Sequence, residues 1–141
     1  MEAEYRIDVV DKPEESVWKT IGGGLREFNT QNAGDDKYQS LCLVLNAKNN
    51  EIVGGLLADI YWDWLYINVL WVKSELRGKG FGRDLLLRAE EESRQRGAKS
   101  AYLDTFSFQA PNFYKKYGYV VFGELNDFPV GHTRIFLTKN L

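Results

Sequence analysis

The segment VLWVKSELRGKGFGR, residues 69–83, joins an apolar strand, a basic loop with closely spaced glycines and the beginning of a helix. The part from Lys73 to Arg83 contains four basic residues and one acid. Backbone amides at a helix N-terminus attract an anion together with the positive end of the helix dipole, and glycine lets a phosphate approach the main chain. The segment therefore predicts a pyrophosphate site at a strand–loop–helix junction.

Two common nucleotide-binding motifs do not match this loop. A P-loop requires G-x-x-x-x-G-K-[ST] and the dinucleotide fingerprint requires G-x-G-x-x-G, whereas the segment from Gly78 to Gly82 follows G-x-G-x-G. The pattern R-x-x-G-x-G does fit, through Arg77, Gly80 and Gly82. The loop thus predicts an anion site that differs from both nucleotide motifs.

A second motif, APNFYKKYGY at residues 110–119, follows the pattern A-x-x-x-Y-x-x-x-G-[FY]. Together the two motifs resemble those of the GNAT superfamily of acetyl-CoA-dependent N-acetyltransferases, and the resemblance extends over most of the chain. It implies a single N-acetyltransferase domain over residues 1–141. It also implies acetyl-CoA as the cosubstrate, with no metal.

Composition and charge exclude several other classes of protein. The chain has 141 residues, of which 44% are hydrophobic and 14% aromatic, which favours a folded domain. Its 18 basic and 20 acidic residues argue against a nucleic-acid partner, and one Cys and one His argue against a disulfide framework or a His-ligated metal. The acidic N-terminus lacks a leader pattern, and Asp59 and Asp63 interrupt the most apolar stretch. We therefore expect a cytoplasmic protein with no membrane partner.

Hydrophobic periodicity predicts the element order β-α-α-β-β-β-α-β-α-β-β. The first helical region is expected to be two short helices, because Gly22, Gly23 and Gly24 each cost about 1 kcal/mol relative to Ala. Further helices are expected from Phe81 and over 111–116. The strands are predicted at residues 5–10, 39–45, 52–61, 64–72, 101–105, 119–125 and 133–137.

These elements predict an α/β fold, α+β in some schemes, of the GNAT-like type. Three strands between residues 39 and 72 form an antiparallel meander. The strand, helix and strand over 64–105 form a right-handed crossover, which makes the two strands parallel. The expected domain has a mixed central sheet of about seven strands, flanked by about four helices.

The resemblance assigns the cosubstrate to specific positions. The backbone of Leu70, Trp71 and Val72 would pair with the pantetheine arm like an added strand. Tyr114 would face the thioester sulfur, where a phenol of pKa about 10 can donate a proton as the thiolate forms; the alternative is that Tyr114 only packs on its aromatic neighbours. The pyrophosphate would be held by Arg77, Gly78, Lys79, Gly80, Phe81, Gly82 and Arg83.

The two motifs do not identify the group that removes a proton from the acceptor amine. Family members often carry a Glu on the strand before the glycine loop, and here that strand has no carboxylate. Asp59, Asp104, a water chain, or no base at all remain as alternatives, with Asp104 favoured because it lies near the end of the parallel partner strand. Ser107 is a second departure, since many relatives carry an Asn there that contacts the cofactor.

Aromatic residues and scattered acids predict the acceptor site. Such a surface receives a cationic amine through cation–π and charge attraction. The acceptor is a small-molecule amine or a protein amine, attacked directly because Cys42 is expected in the core rather than as a nucleophile. A non-catalytic acyl-CoA-binding sensor is the alternative function, and a homodimer is compatible with either. The residues assigned to the acceptor are Trp62, Trp64, Phe106 and His132.

Overall fold

The computed structural model describes residues 4–141, which form two compact units divided after Asp36. The first unit contains one α-helix, α1 (Glu15–Ala33), and residues 5–10 do not form the expected strand. The helix continues through residues 22–24, so the expectation of two short helices is wrong. Contacts one turn apart flank the glycines on both sides, from Lys19 Nζ to Glu15 Oε1 at 3.3 Å and from Asn32 Nδ2 to the Phe28 carbonyl at 2.8 Å. Such local contacts add to the backbone hydrogen bonds that outweigh the low propensity of glycine.

The second unit, from Lys37 to Leu141, contains a sheet and two α-helices. A short 3-10 turn at Ser74–Leu76 separates β3 from α2. Over residues 4–141 this gives six strands and three α-helices, fewer than the seven and four expected, because the first strand and the helix division are missing. The elements are β1 (Gln39–Asn46), β2 (Ile52–Tyr61), β3 (Trp64–Val72), α2 (Phe81–Gln95), β4 (Ser100–Phe106), α3 (Pro111–Lys116), β5 (Val120–Asn126) and β6 (Thr133–Asn140).

The sheet has the strand order β1-β2-β3-β4-β6-β5. Its first three strands form the predicted antiparallel meander, and β3 and β4 form the predicted parallel pair. The tight turn between β2 and β3 has positive φ at both Trp62 and Asp63, as hairpin turns of this kind require. Strand β6 lies between β4 and β5 and is antiparallel to both.

The core lies between α2 and one face of this sheet. Leu85, Leu86 and Ala89 form the buried side of α2, as their helical spacing predicts. Alternation along the strands directs Leu41 and Leu56 to the same side. Cys42 therefore lies on the opposite face, where it is exposed, and the expectation that it belongs to the core is wrong.

No helix within residues 4–141 is long and apolar enough to cross a membrane.

Candidate active site

The central parallel strands separate and leave a cleft between them. Strands β3 and β4 pair only from Trp64 opposite Ser100 to Ile67 opposite Leu103. At the next residue of β3, Asn68, the pairing with β2 is also interrupted by a bulge. Beyond this point lies a cleft of about 540 Å³, lined by residues 68–72, Arg77, Asp104, Thr105, residues 108–110 and Tyr114.

One end of the cleft reaches the basic loop that precedes α2. Gly78 and Gly80 have φ of 77° and 89°, a conformation that side-chain-bearing residues rarely adopt. A Cβ on Gly80 would lie 2.7 Å from a guanidinium nitrogen of Arg83, so glycine also allows that side chain to fold over the loop. Arg77 Nε donates a hydrogen bond of 3.0 Å to the Val72 carbonyl, which holds this guanidinium beside the end of β3. The loop thus presents cations and open main chain at the start of a helix.

Tyr114 is buried and lines the cleft. Its ring packs edge-on against Phe113 at 5.2 Å and Tyr119 at 5.9 Å between centroids. Burial, together with the nearby negative charge of Asp104, raises the pKa of the Tyr114 phenol to about 12. The hydroxyl therefore stays protonated throughout the neutral range and can serve as a hydrogen-bond donor.

Asp104 lies in the same cleft, directly after Leu103, the last residue of β4 that pairs with β3. Its Oδ1 accepts a hydrogen bond from Arg134 Nε at 2.8 Å, and its Oδ2 accepts a longer one from the Tyr66 hydroxyl at 3.3 Å. Burial, followed by the negative charge of Asp104, raises the pKa of Tyr66. One carboxylate oxygen is thus fixed by an ion pair, and the other is held only weakly.

Sequence reasoning missed Arg134, although this residue orients Asp104. Its guanidinium lies 5.1 Å from the ring centroid of Phe128, 5.3 Å from that of Phe136 and 5.6 Å from that of Phe106. Cation–π attraction to these rings restrains the guanidinium beside the carboxylate. The ion pair joins positions thirty residues apart in the chain, and only the pairing of β4 with β6 brings them together.

The second carboxylate considered as a base, Asp59, does not line the cleft. It lies on β2, where the hydroxyl of Tyr38 donates a hydrogen bond to it. Hydrogen bonding to this carboxylate is the main cause that raises the pKa of Tyr38. Of the two acids, the structure brings only Asp104 together with Tyr114.

The loop that follows β4 carries the remaining polar contacts of the site. Gln109 Oε1 accepts hydrogen bonds from the backbone N–H of Phe106 at 2.9 Å and from the Thr105 hydroxyl at 3.2 Å, which ties the loop to the strand end. Ser107 Oγ accepts one from the backbone N–H of Thr133 at 3.0 Å. Ser107 thus connects this loop to the start of β6.

The four residues assigned to the acceptor lie in two separate places. Phe106 is near His132, because both contact the ring of Phe108, which lines the cleft. Trp64 begins β3, roughly 13 Å from Asn68 at the edge of the cleft at about 3.3 Å per residue, and Trp62 lies in the turn before it. Trp64 borders a shallow apolar depression there. The structure therefore does not combine the two tryptophans with Phe106 and His132 into one pocket.

Acidic, His and Cys side chains were also considered as metal ligands. Within the described part of the chain, no three of them are grouped so that they could hold a metal ion.

Known proteins resemble this chain in sequence and in fold. The model of the acetyltransferase (GNAT) family matches residues 5–119. The chain is 38% identical over 95 residues to the blasticidin-S acetyltransferase of Streptomyces morookaense, covering 67% of this chain and 70% of that protein. It is 33% identical over 132 residues to the acetyltransferase Atu2258 of Agrobacterium fabrum, covering 94% of each. A crystal structure of an Agrobacterium tumefaciens protein described as an acetyltransferase superimposes with a TM-score of 0.92 at 30% identity, over 97% of this chain and 100% of that one.

Proposed function

The chain belongs to the acetyltransferase (GNAT) family, and we propose that it transfers the acetyl group of acetyl-CoA to a primary amine of a small-molecule acceptor. The observation that carries the proposal is the cleft between β3 and β4, which has the basic loop at one end and both Asp104 and Tyr114 on its walls. A relative with 38% identity is named for the acetylation of blasticidin S, which supports a small molecule as the acceptor.

The main chain of β3 is the proposed seat of the pantetheine arm. Leu70, Trp71 and Val72 pair with β2 on one side, and the cleft lies on the side where β4 has separated from them. Backbone groups on a strand edge without a partner strand can bond an extended amide chain, as in strand addition. An N–H near the bulge at Asn68 is suited to bond the thioester oxygen as it gains negative charge.

The loop is the proposed binding site for the pyrophosphate. The residues proposed to contact it are Arg77, Gly78, Lys79, Gly80, Phe81, Gly82 and Arg83. Glycine at positions 78 and 80 supports this assignment, since positive φ there exposes main-chain N–H groups. Arg77 also lines the cleft and would connect the loop to the arm.

In the proposed reaction, the amine nitrogen attacks the thioester carbonyl carbon, a C–N bond forms and the C–S bond breaks. The amine loses a proton and the CoA thiolate gains one. Asp104 is proposed to bind the incoming ammonium through Oδ2 and to accept one proton from it before the attack, since only the neutral amine has a free electron pair. After the C–N bond has formed, the nitrogen loses a second proton, which balances the proton that the sulfur gains. Tyr114 is proposed as the general acid, which donates to the sulfur as negative charge develops.

The test compares Tyr114→Phe with Tyr117→Phe, a matched loss of a hydroxyl on the neighbouring turn. We expect kcat to fall about 100-fold in Tyr114→Phe, because a positioned acid contributes at least that factor, with unchanged acetyl-CoA affinity by calorimetry. Tyr117→Phe should stay within about twofold of the parent enzyme. Equal turnover in both variants would remove Tyr114 from the acid role.

Two assays distinguish an acetyltransferase from a non-catalytic acyl-CoA sensor. One is calorimetry with acetyl-CoA, and the other measures acetyl-CoA consumption with small amines that include blasticidin S. Absence of acetyl-CoA binding at millimolar ligand would overturn the proposed function. Tight binding with no CoA release for any amine would instead support a non-catalytic acyl-CoA sensor.

A further inference from the structure

Phe108, which lines the cleft, belongs to a cluster of aromatic rings. We call the four residues Phe106, Phe108, Phe128 and His132 the aromatic rim. Phe106 stacks on Phe108 at 5.4 Å and 11°, Phe128 lies 5.6 Å from Phe106, and the His132 ring meets Phe108 edge-on at 4.9 Å. Phe108 is 56% exposed although it lines the cleft, so part of this ring is open to an incoming molecule.

Formal charge in the cleft is sparse. Among the residues that line it within 4–141, Asp104 is the single acid and Arg77 the single base. Arg77 lies beside the end of β3, at the loop end of the cleft. Arg134, the partner of Asp104, already gives its Nε hydrogen to that carboxylate and lies against three phenylalanine rings. The acceptor side therefore offers one carboxylate to a cation, next to a stack of rings.

These features discriminate between classes of amine. A polyamine or an aminoglycoside carries several ammonium groups, and each needs an acid or water when it is bound. Asp104 is already paired with Arg134 through Oδ1, so it can hydrogen-bond only one ammonium, through Oδ2. A flat apolar group gains by stacking on an exposed ring, and such a contact adds to the burial of its surface.

We infer that the preferred acceptor is a monoamine with one flat aromatic group, whose ammonium binds Asp104 and whose ring stacks on Phe108. The inference rests on the proposed N-acetyltransferase activity and adds the class of amine. Phe106 supports the stacked ring from behind, while His132 holds Phe108 from its edge. Asp104 is connected to these rings through Arg134, which pairs with the carboxylate and lies 5.6 Å from the centroid of Phe106.

The test measures kcat/KM with acetyl-CoA for 2-phenylethylamine, n-butylamine, spermidine and glycylglycine. We expect 2-phenylethylamine to exceed each of the other three by about tenfold or more, as one added aromatic contact allows. Phe108→Ala should reduce the preference for 2-phenylethylamine over n-butylamine about fivefold, mainly by raising KM for 2-phenylethylamine more than for n-butylamine. The matched control is Phe122→Ala, an equally exposed phenylalanine on β5, which should change neither amine.

The outcomes separate the inference from the proposed function. If spermidine, butylamine or the peptide is acetylated as well as 2-phenylethylamine, or if Phe108→Ala keeps the full preference, the inference fails and the proposed function stands. If acetyl-CoA binds but no amine is acetylated, both fail. Thermal melting of Phe108→Ala should match the parent protein, because the side chain is largely exposed, so a changed preference reports on the acceptor.

Discussion

Glu90 is the most deeply buried ionised side chain of the second unit, and its replacement gives the sharpest prediction about stability. The carboxylate is 1% exposed on α2. Its Oε1 accepts a hydrogen bond from Lys139 Nζ at 2.8 Å and its Oε2 one from the Tyr119 hydroxyl at 2.9 Å. The Glu90→Leu variant keeps the apolar volume but leaves the ammonium of Lys139 and the phenol of Tyr119 without this acceptor.

The expected cost follows from this geometry. Removal of one partner of a buried ion pair costs about 3–5 kcal/mol, mostly because the remaining charge is left without compensation. The side chain of Lys139 is 19% exposed, so it can partly reach water and the lower end, about 3 kcal/mol, applies. Replacing both partners, in Glu90→Leu/Lys139→Met, removes the orphaned charge and should restore at least half of the lost stability.

Urea denaturation followed by tryptophan fluorescence measures these differences. Tyr119→Phe should cost about 2 kcal/mol, because it removes a single hydrogen bond to the buried carboxylate and leaves the ion pair intact. The reasoning is refuted if Glu90→Leu loses less than Tyr119→Phe, or if the double variant is no more stable than Glu90→Leu. Either result would mean that the pair does not hold α2 to β6.

Three further predictions concern the sheet, the cleft and the loop. Gly55→Ala should lower the free energy of unfolding by about 1–3 kcal/mol, measured by urea denaturation, because its Cβ would lie 2.6 Å from a main-chain oxygen of β1. Gly123→Ala has open space around its Cβ and should be nearly neutral. The raised pKa of Tyr114, about 12 against 10.0 in the unfolded chain, contributes stability that is fully present below pH 10 and is lost as the pH rises to 12; denaturation at pH 8 and pH 11.5 should show Tyr114→Phe losing about 2 kcal/mol less than the parent protein over that interval. Arg77→Ala should raise the KM for acetyl-CoA about tenfold with little change in kcat, and more so at low salt, while Arg88→Ala on the exposed side of α2 should leave steady-state kinetics unchanged.

Local signals predicted the elements on which the site is built. The strands over 52–61 and 64–72 and the helix over 111–116 have the bounds that alternation and the N-terminal proline indicate. Positive φ at Gly78 and Gly80 agrees with the glycine pattern of the loop. These features depend on residues near one another in the chain, so the sequence contains the information that determines them.

The helix over residues 15–33 shows where local reasoning fails. Three consecutive glycines predict a break by propensity alone, but each helical residue also gains hydrogen bonds and contacts with residues one turn away. The prediction that Cys42 lies in the core is wrong for a different reason. A residue in an apolar stretch can lie on either face of a strand. Only the pairing of β1 with β2 fixes that face.

The sequence by itself determined the family motifs, the strand–loop–helix order and the identity of Tyr114 as the phenol of the second motif. Tertiary structure alone decided that Asp104 rather than Asp59 shares a cleft with Tyr114 and that Arg134 fixes it. The reason is that the cleft arises where β3 and β4 cease to pair, and the ion pair arises where β6 inserts beside β4. Both features depend on how strands that are distant in the chain pair with one another, which local sequence preference does not determine.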